Sequence, residues 1–216
     1  MSLAFVSAAG AGATAIARSP MERKAKAAGA RFEVRDGWNV AIDYASPPTQ
    51  TGWADVSHLR KLELQGEGVG GELRTARREG EAWVCRLTPT RELIIGGRLR
   101  RNYVHAEVSS QGPGSEPAPA GAVDVTTCFA ALTIFGPYAR ETIARFCALD
   151  LRPQTAPPGS FRPGSIARQP GMILVEDGQR FLLLFGWAVG EYMWTVVEDA
   201  GRPLGGAPVG IGALGA

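Results

Sequence analysis

Alternating apolar and polar positions near the start of the chain predict a helix followed by a hairpin. Residues 19–28 begin with Ser-Pro-Met-Glu, which offers a serine cap, a proline in the first turn and a glutamate three residues after the serine. Gly29 is typical of a helix end. Residues 31–34 and 40–44 alternate as strands around Asp36-Gly37, a pair typical of a type I′ turn.

One pattern, Asp-Val-hydroxyl followed by alternating apolar residues and a glycine, occurs twice, from Asp55 to Gly66 and from Asp124 to Gly136. The elements predicted after each copy have the order helix, strand, strand: residues 72–78, 83–87 and 92–95, then 138–147, 171–175 and 180–185. Two fused strand-helix-strand-strand units imply antiparallel sheets with helices on one face, an α+β fold. The Asp and hydroxyl side chains of each copy are expected to close its turn by hydrogen bonds to the backbone.

Glycine- and proline-rich stretches set the predicted domain boundaries, and residues 103–108 and 189–200 add a strand to the first half and a helix to the second. The predicted parts are a flexible N-terminal segment (1–18), a first half (19–108), a linker (109–121), a second half (122–200) and a glycine-rich tail (201–216). The tail has no periodicity, so we expect it to be irregular and to lie along the surface.

The amino-acid composition excludes several classes of protein. Hydrophobic residues make up 45% and charged residues 20% of the 216 positions, which is typical of a globular protein. The net charge of +2, without aromatic residues among the arginines, does not indicate nucleic-acid binding, and no segment is apolar for long enough to span a membrane. Cys85, Cys128 and Cys147 lack metal-ligand spacing; we expect them to be buried, in a cytoplasmic protein without a metal.

Several motifs resemble a known family. Residues 19–44 and 52–66, the second of which reads Gly-Trp-Ala-Asp-Val-Ser-His, are similar to the start of an aminomethyltransferase, the T-protein of glycine cleavage. Residues 136–140 and 147–160 resemble the small γ subunit of heterotetrameric sarcosine oxidase, from the same superfamily. The resemblance covers about residues 19–214. It implies a folate-binding domain, with tetrahydrofolate at the centre of three lobes and a carboxylate that assists attack by the folate amine.

The resemblance also implies that the positions of the family's acids are changed. The catalytic aspartate pair falls near residues 87–97, which end in Gly96-Gly97, and Arg180 replaces the acid that binds the pterin. Leu214 replaces an arginine that leads into the family's third lobe, the C-terminal barrel, which is absent here. We therefore assign no catalytic residue. The candidate folate-binding residues are Leu59, Tyr103, Glu92 and Arg180, with Glu92 as a substitute carboxylate and Tyr103 as an aromatic face beside Trp38 and Trp53.

Two hypotheses follow from this resemblance. The first is a non-catalytic subunit or tetrahydrofolate-binding module of one-carbon metabolism, and the alternative is an active tetrahydrofolate-dependent aminomethyltransferase or demethylase completed by a partner chain. Neither requires a metal, nucleic acid or membrane. The expected partners are a second copy of the chain, other subunits of an oxidase or demethylase complex, and folate. Self-association is expected because a missing third lobe would expose apolar residues such as Val40, Ile42, Ile94, Ile95 and Trp38.

Overall fold

The computed structural model describes residues 15–45, 48, 50–66, 72–96 and 121–214. Its α-helices are α1 (Glu22–Ala27), α2 (Ala139–Ala144) and α3 (Gly190–Gly201). Its strands are β1 (Ala17–Arg18), β2 (Arg31–Arg35), β3 (Trp38–Asp43), β4 (Thr51–Asp55), β5 (Lys61–Gln65), β6 (Ala76–Glu79), β7 (Ala82–Thr88), β8 (Arg91–Ile95), β9 (Gly121–Asp124), β10 (Phe129–Phe135), β11 (Phe161–Ile166), β12 (Gln169–Val175), β13 (Arg180–Gly186) and β14 (Gly206–Pro208).

The N-terminal helix and hairpin form as the sequence predicts. The Ser19 hydroxyl accepts a hydrogen bond from the Met21 N–H at 3.0 Å, which satisfies one free donor before α1. Asp36 and Gly37 both have positive φ values, 48° and 78°, as a type I′ turn requires. β3 pairs with β2 on one side and with β1 on the other, giving a three-stranded sheet in the order β1-β3-β2.

A six-stranded sheet, in the order β11-β12-β13-β10-β4-β14, forms the centre of the molecule. Both of its faces are covered, which explains the unbroken apolar run of β13. Phe181, Leu183 and Phe185 belong to the core shared with the helices, around Trp53 and Trp194. Leu182 and Leu184, on the opposite face, belong to the core shared with a second sheet.

The second sheet has five strands in the order β6-β7-β8-β5-β9. Alternation along β8 places Leu93 and Ile95 against the six-stranded sheet, and Ile94 on the outer face with Leu62 and Val84. The two large sheets also exchange strands, because the chain crosses between them twice. It passes from β4 in the six-stranded sheet to β5 in the five-stranded one, and it returns from β9 in the five-stranded sheet to β10 in the six-stranded one. The sheets are mostly antiparallel and the helices are few, which confirms the α+β class.

Two predicted elements differ in the structure. Residues 72–78 do not form a helix: β6 pairs antiparallel with β7, and the N–H of Ala76 donates to the carbonyl of Gly159 at 2.7 Å. Pairing with β7 and with a distant backbone carbonyl therefore overrides a weak local pattern. In the C-terminal tail, β14 pairs in parallel with β4, and Val209 is buried. Because the first unit lacks its predicted helix, the strand-helix-strand-strand repeat is not confirmed. The predicted strand 103–108 and most of the linker lie outside the described residues.

Two burial predictions are also corrected. Cys85 and Cys147 are buried as expected, but Cys128 is exposed because it ends a short 3-10 turn before β10. Of the apolar residues expected to be exposed, Val40, Ile42, Ile94 and Ile95 are instead buried, whereas Trp38 is half-buried. The C-terminal segment covers Ile42 so closely that a Cβ on Gly210 would lie 1.9 Å from its carbonyl carbon. Over the described part of the chain, no helix has the length and apolarity needed to cross a membrane.

Candidate functional site

A cleft of about 510 Å³ opens between the two large sheets, at the end where β5, β8 and β13 come together. It has apolar walls and few polar groups, which is typical of a small-molecule site. The residues that line it come from both sheets and from the loops beside them: Glu63, Leu87, Thr88, Arg91, Phe129, Pro163, Gln169, Pro170, Gly171, Met172, Gly186 and Val189.

Strand alternation and two glycines shape this cleft. Glu63 pairs with Leu93 across β5 and β8, so both side chains point to the inner face of the five-stranded sheet. On the opposite wall, a Cβ added to Gly186 would contact nothing within 4 Å, so Gly186 leaves the cleft open. Gly171 is constrained differently, because a Cβ there would lie 2.8 Å from the carbonyl oxygen of Leu184.

The main polar feature of the cleft is an ion pair between Glu63 and Arg91. The Arg91 guanidinium donates from Nε to Oε1 of Glu63 at 2.8 Å and from Nη2 to Oε2 at 2.6 Å. Gln65 donates a further hydrogen bond to the same carboxylate. The hydrogen bond from Arg91 lowers the pKa of Glu63. This carboxylate is therefore ionised, and the Arg91 guanidinium binds both of its oxygens.

A second polar group lies deeper, where the turn after β4 meets β5. The side chain of Lys61 is fully buried, and its Nζ donates to the carbonyls of Ser57 at 2.9 Å and Leu59 at 2.8 Å. Burial lowers the pKa of Lys61 to about 8, and Asp55 partly opposes this. Burial likewise lowers the pKa of His58 to about 4, with a further contribution from Lys61. Lys61 thus fixes the turn that carries Leu59.

The structure places the candidate carboxylate Glu92 away from the cleft. Glu92 follows Arg91 on β8 and so points to the outer face of the five-stranded sheet, where it is buried. Its Oε1 lies 3.0 Å from Nη1 of Arg77 and 3.6 Å from Nη1 of Arg86. Glu92 compensates buried cationic charge there, and this geometry indicates a structural ion pair.

The remaining candidates do not meet at one site either. Arg180 begins β13, roughly 20 Å along the strand from Gly186 in the cleft. Its Nη2 donates to the carbonyl of Leu214 at 2.9 Å, and its guanidinium lies 5.7 Å from the ring centroid of Phe135. Leu59 is half-buried against the core between the sheets, whereas Tyr103 and Gly97 lie outside the described residues. Gly96, at the end of β8, has a φ of 78°.

Sequence reasoning missed Glu63 and Arg91, the two charged residues that face each other in the cleft. The one available signal is a charged residue at an inward position of β5, between Leu62 and Leu64, both of which are buried on the outer face. Nothing in the sequence links Glu63 to Arg91, because their contact depends on the register of β5 and β8. Among the described residues, no cluster of three or more histidines, cysteines and acids has the arrangement of a metal site.

Comparison with known proteins confirms the resemblance to the T-protein and sarcosine oxidase superfamily. No protein-family model matches the chain. It is 26% identical over 231 residues to an aminomethyltransferase of Frankia alni, and this match covers 91% of the chain and 61% of that protein. The chain therefore spans about three-fifths of the curated relative's length.

Two solved structures have a similar fold. A chain of the heterotetrameric sarcosine oxidase from Corynebacterium sp. U-96 superposes with a TM-score of 0.64 at 16% identity, covering 88% of this chain and 97% of that one. The glycine cleavage system aminomethyltransferase T from Bartonella henselae superposes with a TM-score of 0.66 at 14% identity, covering 92% of this chain and 60% of that one. The chain has the fold that these proteins share.

Proposed function

We propose that the chain is a non-catalytic subunit of a multi-chain oxidase or demethylase of one-carbon metabolism, built on a folate-binding type of domain. The observation that carries the proposal is the fold. The chain superposes on a chain of the heterotetrameric sarcosine oxidase with a TM-score of 0.64, over 97% of that chain. A counterpart of this fold in a multi-chain enzyme favours a subunit role.

The geometry of the cleft supports the absence of catalysis. A carboxylate that orients or deprotonates an amine must lie within hydrogen-bond reach of it, and donors that already bind the carboxylate lower its basicity. Both oxygens of Glu63 are bound by Arg91, and Glu92 lies on the opposite face of its sheet with Arg77 and Arg86. The described part of the cleft therefore offers no uncommitted carboxylate.

Folate binding without catalysis is the finer part of this proposal, in a cytoplasmic protein with two repeated halves. Leu59 and Tyr103 are its candidate contacts, since Glu92 and Arg180 lie away from the cleft. The open apolar walls of the cleft support a ligand of this size. The same observation favours a second candidate, an active tetrahydrofolate-dependent enzyme completed by a partner chain. Each candidate permits folate binding, so the two are distinguished by whether the protein turns over a substrate.

A paired experiment tests the subunit role. The tagged chain, purified from its own host, is expected to elute in a stoichiometric complex with the other chains of an amine oxidase, identified by mass spectrometry. The isolated chain, given tetrahydrofolate and a secondary amine such as sarcosine, is expected to release no formaldehyde and to form no methylene-tetrahydrofolate. Turnover by the isolated chain would contradict the proposal, as would a native complex in which it is the only polypeptide.

Calorimetric titration with tetrahydrofolate then tests the folate-binding part separately. If the cleft binds folate, Arg91→Met should change the affinity because it alters the polar end of the cleft. Arg77→Met is the matched control, since Arg77 lies on the outer face of the same sheet and also contacts a buried carboxylate. Equal effects of the two variants would place any bound folate elsewhere.

A further inference from the structure

The outer edge of β2 is a strand edge without a partner among the residues that the structure describes. β2 is the last strand of the sheet β1-β3-β2. Four of its five residues are exposed, and Val34 has 56% of its surface accessible, the largest value among the exposed large hydrophobic residues. An unpaired edge with an exposed β-branched residue is a template for pairing with another chain.

The hairpin geometry determines which backbone groups face outward. In a two-residue type I′ hairpin, the residues flanking the turn exchange both hydrogen bonds, and here those are Arg35 and Trp38. The inward pattern repeats every second residue, so Glu33 also bonds to β3. The N–H and C=O groups of Phe32 and Val34 then point outward, away from β3. They are the groups available to a new strand.

The alternating charges along β2 indicate which strand can pair with its outer edge and in which register. Arg31, Glu33 and Arg35 alternate with Phe32 and Val34 and therefore share one face of the strand. A second copy placed antiparallel about a two-fold axis at Glu33 would oppose like charges, which is unfavourable. An axis at Phe32 would centre the new ladder on the step between Arg31 and Phe32, where the pairing of β2 with β3 is irregular. An axis at Val34 opposes Glu33 of each copy to Arg35 of the other and meets neither difficulty.

We propose that two copies of the chain pair through β2, antiparallel about an axis at Val34, to form one six-stranded sheet from the two three-stranded ones. Val34 exchanges both backbone hydrogen bonds with its counterpart, and two ion pairs between Glu33 and Arg35 flank it. Within one chain, Glu33 already lies 3.4 Å from Arg31 and 3.2 Å from Arg35, but these pairs are about half exposed and so contribute little. Replacing these ion pairs within one chain by ion pairs between two copies therefore costs little free energy. The proposal does not depend on the catalytic status of the chain.

Charge reversal tests this interface by sedimentation of the full-length chain over a range of micromolar concentrations. The wild type is expected to approach twice its 22.8 kDa mass. Glu33→Arg and Arg35→Glu each turn two attractive contacts into two repulsive ones, so each should weaken dimerisation about tenfold or more. The double variant Glu33→Arg/Arg35→Glu restores opposite charges and should dimerise like the wild type. Glu141→Arg is the matched control, since Glu141 is an exposed partner of Arg145 on α2.

A cysteine at the axis tests the register independently. In the proposed dimer, Val34→Cys places two sulfur atoms opposite each other at a Cα separation of about 5.5 Å, which a disulfide accommodates. A covalent dimer should therefore form under mild oxidation. Several results would overturn the proposal: a wild-type monomer at every concentration, a dimer that the single reversals leave unchanged, a double variant that stays monomeric, or a dimer that Val34→Cys fails to cross-link.

Discussion

The turns that follow β4 and β9 have the same hydrogen bonds in very different surroundings. In the first, the N–H of Ser57 donates to Oδ1 of Asp55 at 3.0 Å, and in the second the N–H of Thr126 donates to Oδ1 of Asp124 at 2.9 Å. Residues 55–57 and 124–126 share the pattern Asp-Val-hydroxyl. The pattern thus determines the local geometry of each turn.

Each turn also binds the strand that follows the other. The Ser57 hydroxyl accepts from the N–H of Ala131 in β10 at 3.1 Å, and the Thr126 hydroxyl accepts from the N–H of Lys61 in β5 at 3.0 Å. This reciprocal arrangement supports the idea of two related halves. Because the two large sheets exchange strands at these turns, the turns also connect the sheets.

Burial makes the two turns differ electrostatically. Asp55 and Ser57 are buried, and burial raises the pKa of Asp55. The Asp124 side chain is 51% exposed. Burial opposes its ionisation, but hydrogen bonds from Thr126 and Arg60 outweigh this and lower its pKa. A shared motif therefore fixes geometry, while depth in the fold decides what each hydrogen bond contributes to stability.

The largest expected contrast comes from removing the two aspartates. Asp55→Ala leaves the buried N–H of Ser57 without a partner and should lower the free energy of unfolding by about 3 kcal/mol. Asp124→Ala exposes the equivalent N–H to water and should cost about 1 kcal/mol. Urea denaturation measures both values. Asp55→Asn, which keeps an acceptor oxygen, is the control and should be less damaging than Asp55→Ala; equal losses at the two turns would show that burial does not separate them.

Removing the hydroxyls should give a smaller contrast in the same direction. Ser57→Ala leaves the N–H of Ala131 unbonded in the core and should cost about 2 kcal/mol. Thr126→Ala acts at a partly exposed site and should cost about 1 kcal/mol. Thr126→Ser keeps the hydroxyl and serves as the control in the same denaturation experiment. A larger loss for Thr126→Ala would reverse the proposed order.

The smallest effect is a difference in the sign of the pH dependence. The lowered pKa of Asp124 gives stability above the unfolded-state pKa of about 3.8, and this stability is lost as the pH falls through the folded-state pKa. The raised pKa of Asp55 acts oppositely, so its contribution grows as the pH falls from the folded-state pKa towards 3.8. Carboxyl NMR titration should place the Asp55 midpoint above 3.8 and the Asp124 midpoint below it. Midpoints on the same side would contradict this assignment.

Local patterns were sufficient for some elements and insufficient for others. The hairpin at Asp36-Gly37 and the turn at Asp55 depend on residues within a few positions, so their chemistry is readable in sequence. β14 depends on β4, a partner far along the chain, and β6 depends on its hairpin with β7 and on the distant carbonyl of Gly159. The residues of β6 and β14 themselves lack a strand pattern. The Glu63–Arg91 pair shows the same limit: it joins residues of two strands, and only the sheet register brings them into one cleft.

The exchange of strands between the two large sheets has a kinetic consequence. β4 pairs with residues 132–135, and β5 pairs with residues 121–124, so neither sheet can close until more than half of the chain has been synthesised. Contacts so distant in sequence require the entropy of large loops to be lost first, which places folding in the millisecond-to-second range. During that time β4 has no strand partner and β5 has only β8, so the nascent chain is then most exposed to aggregation.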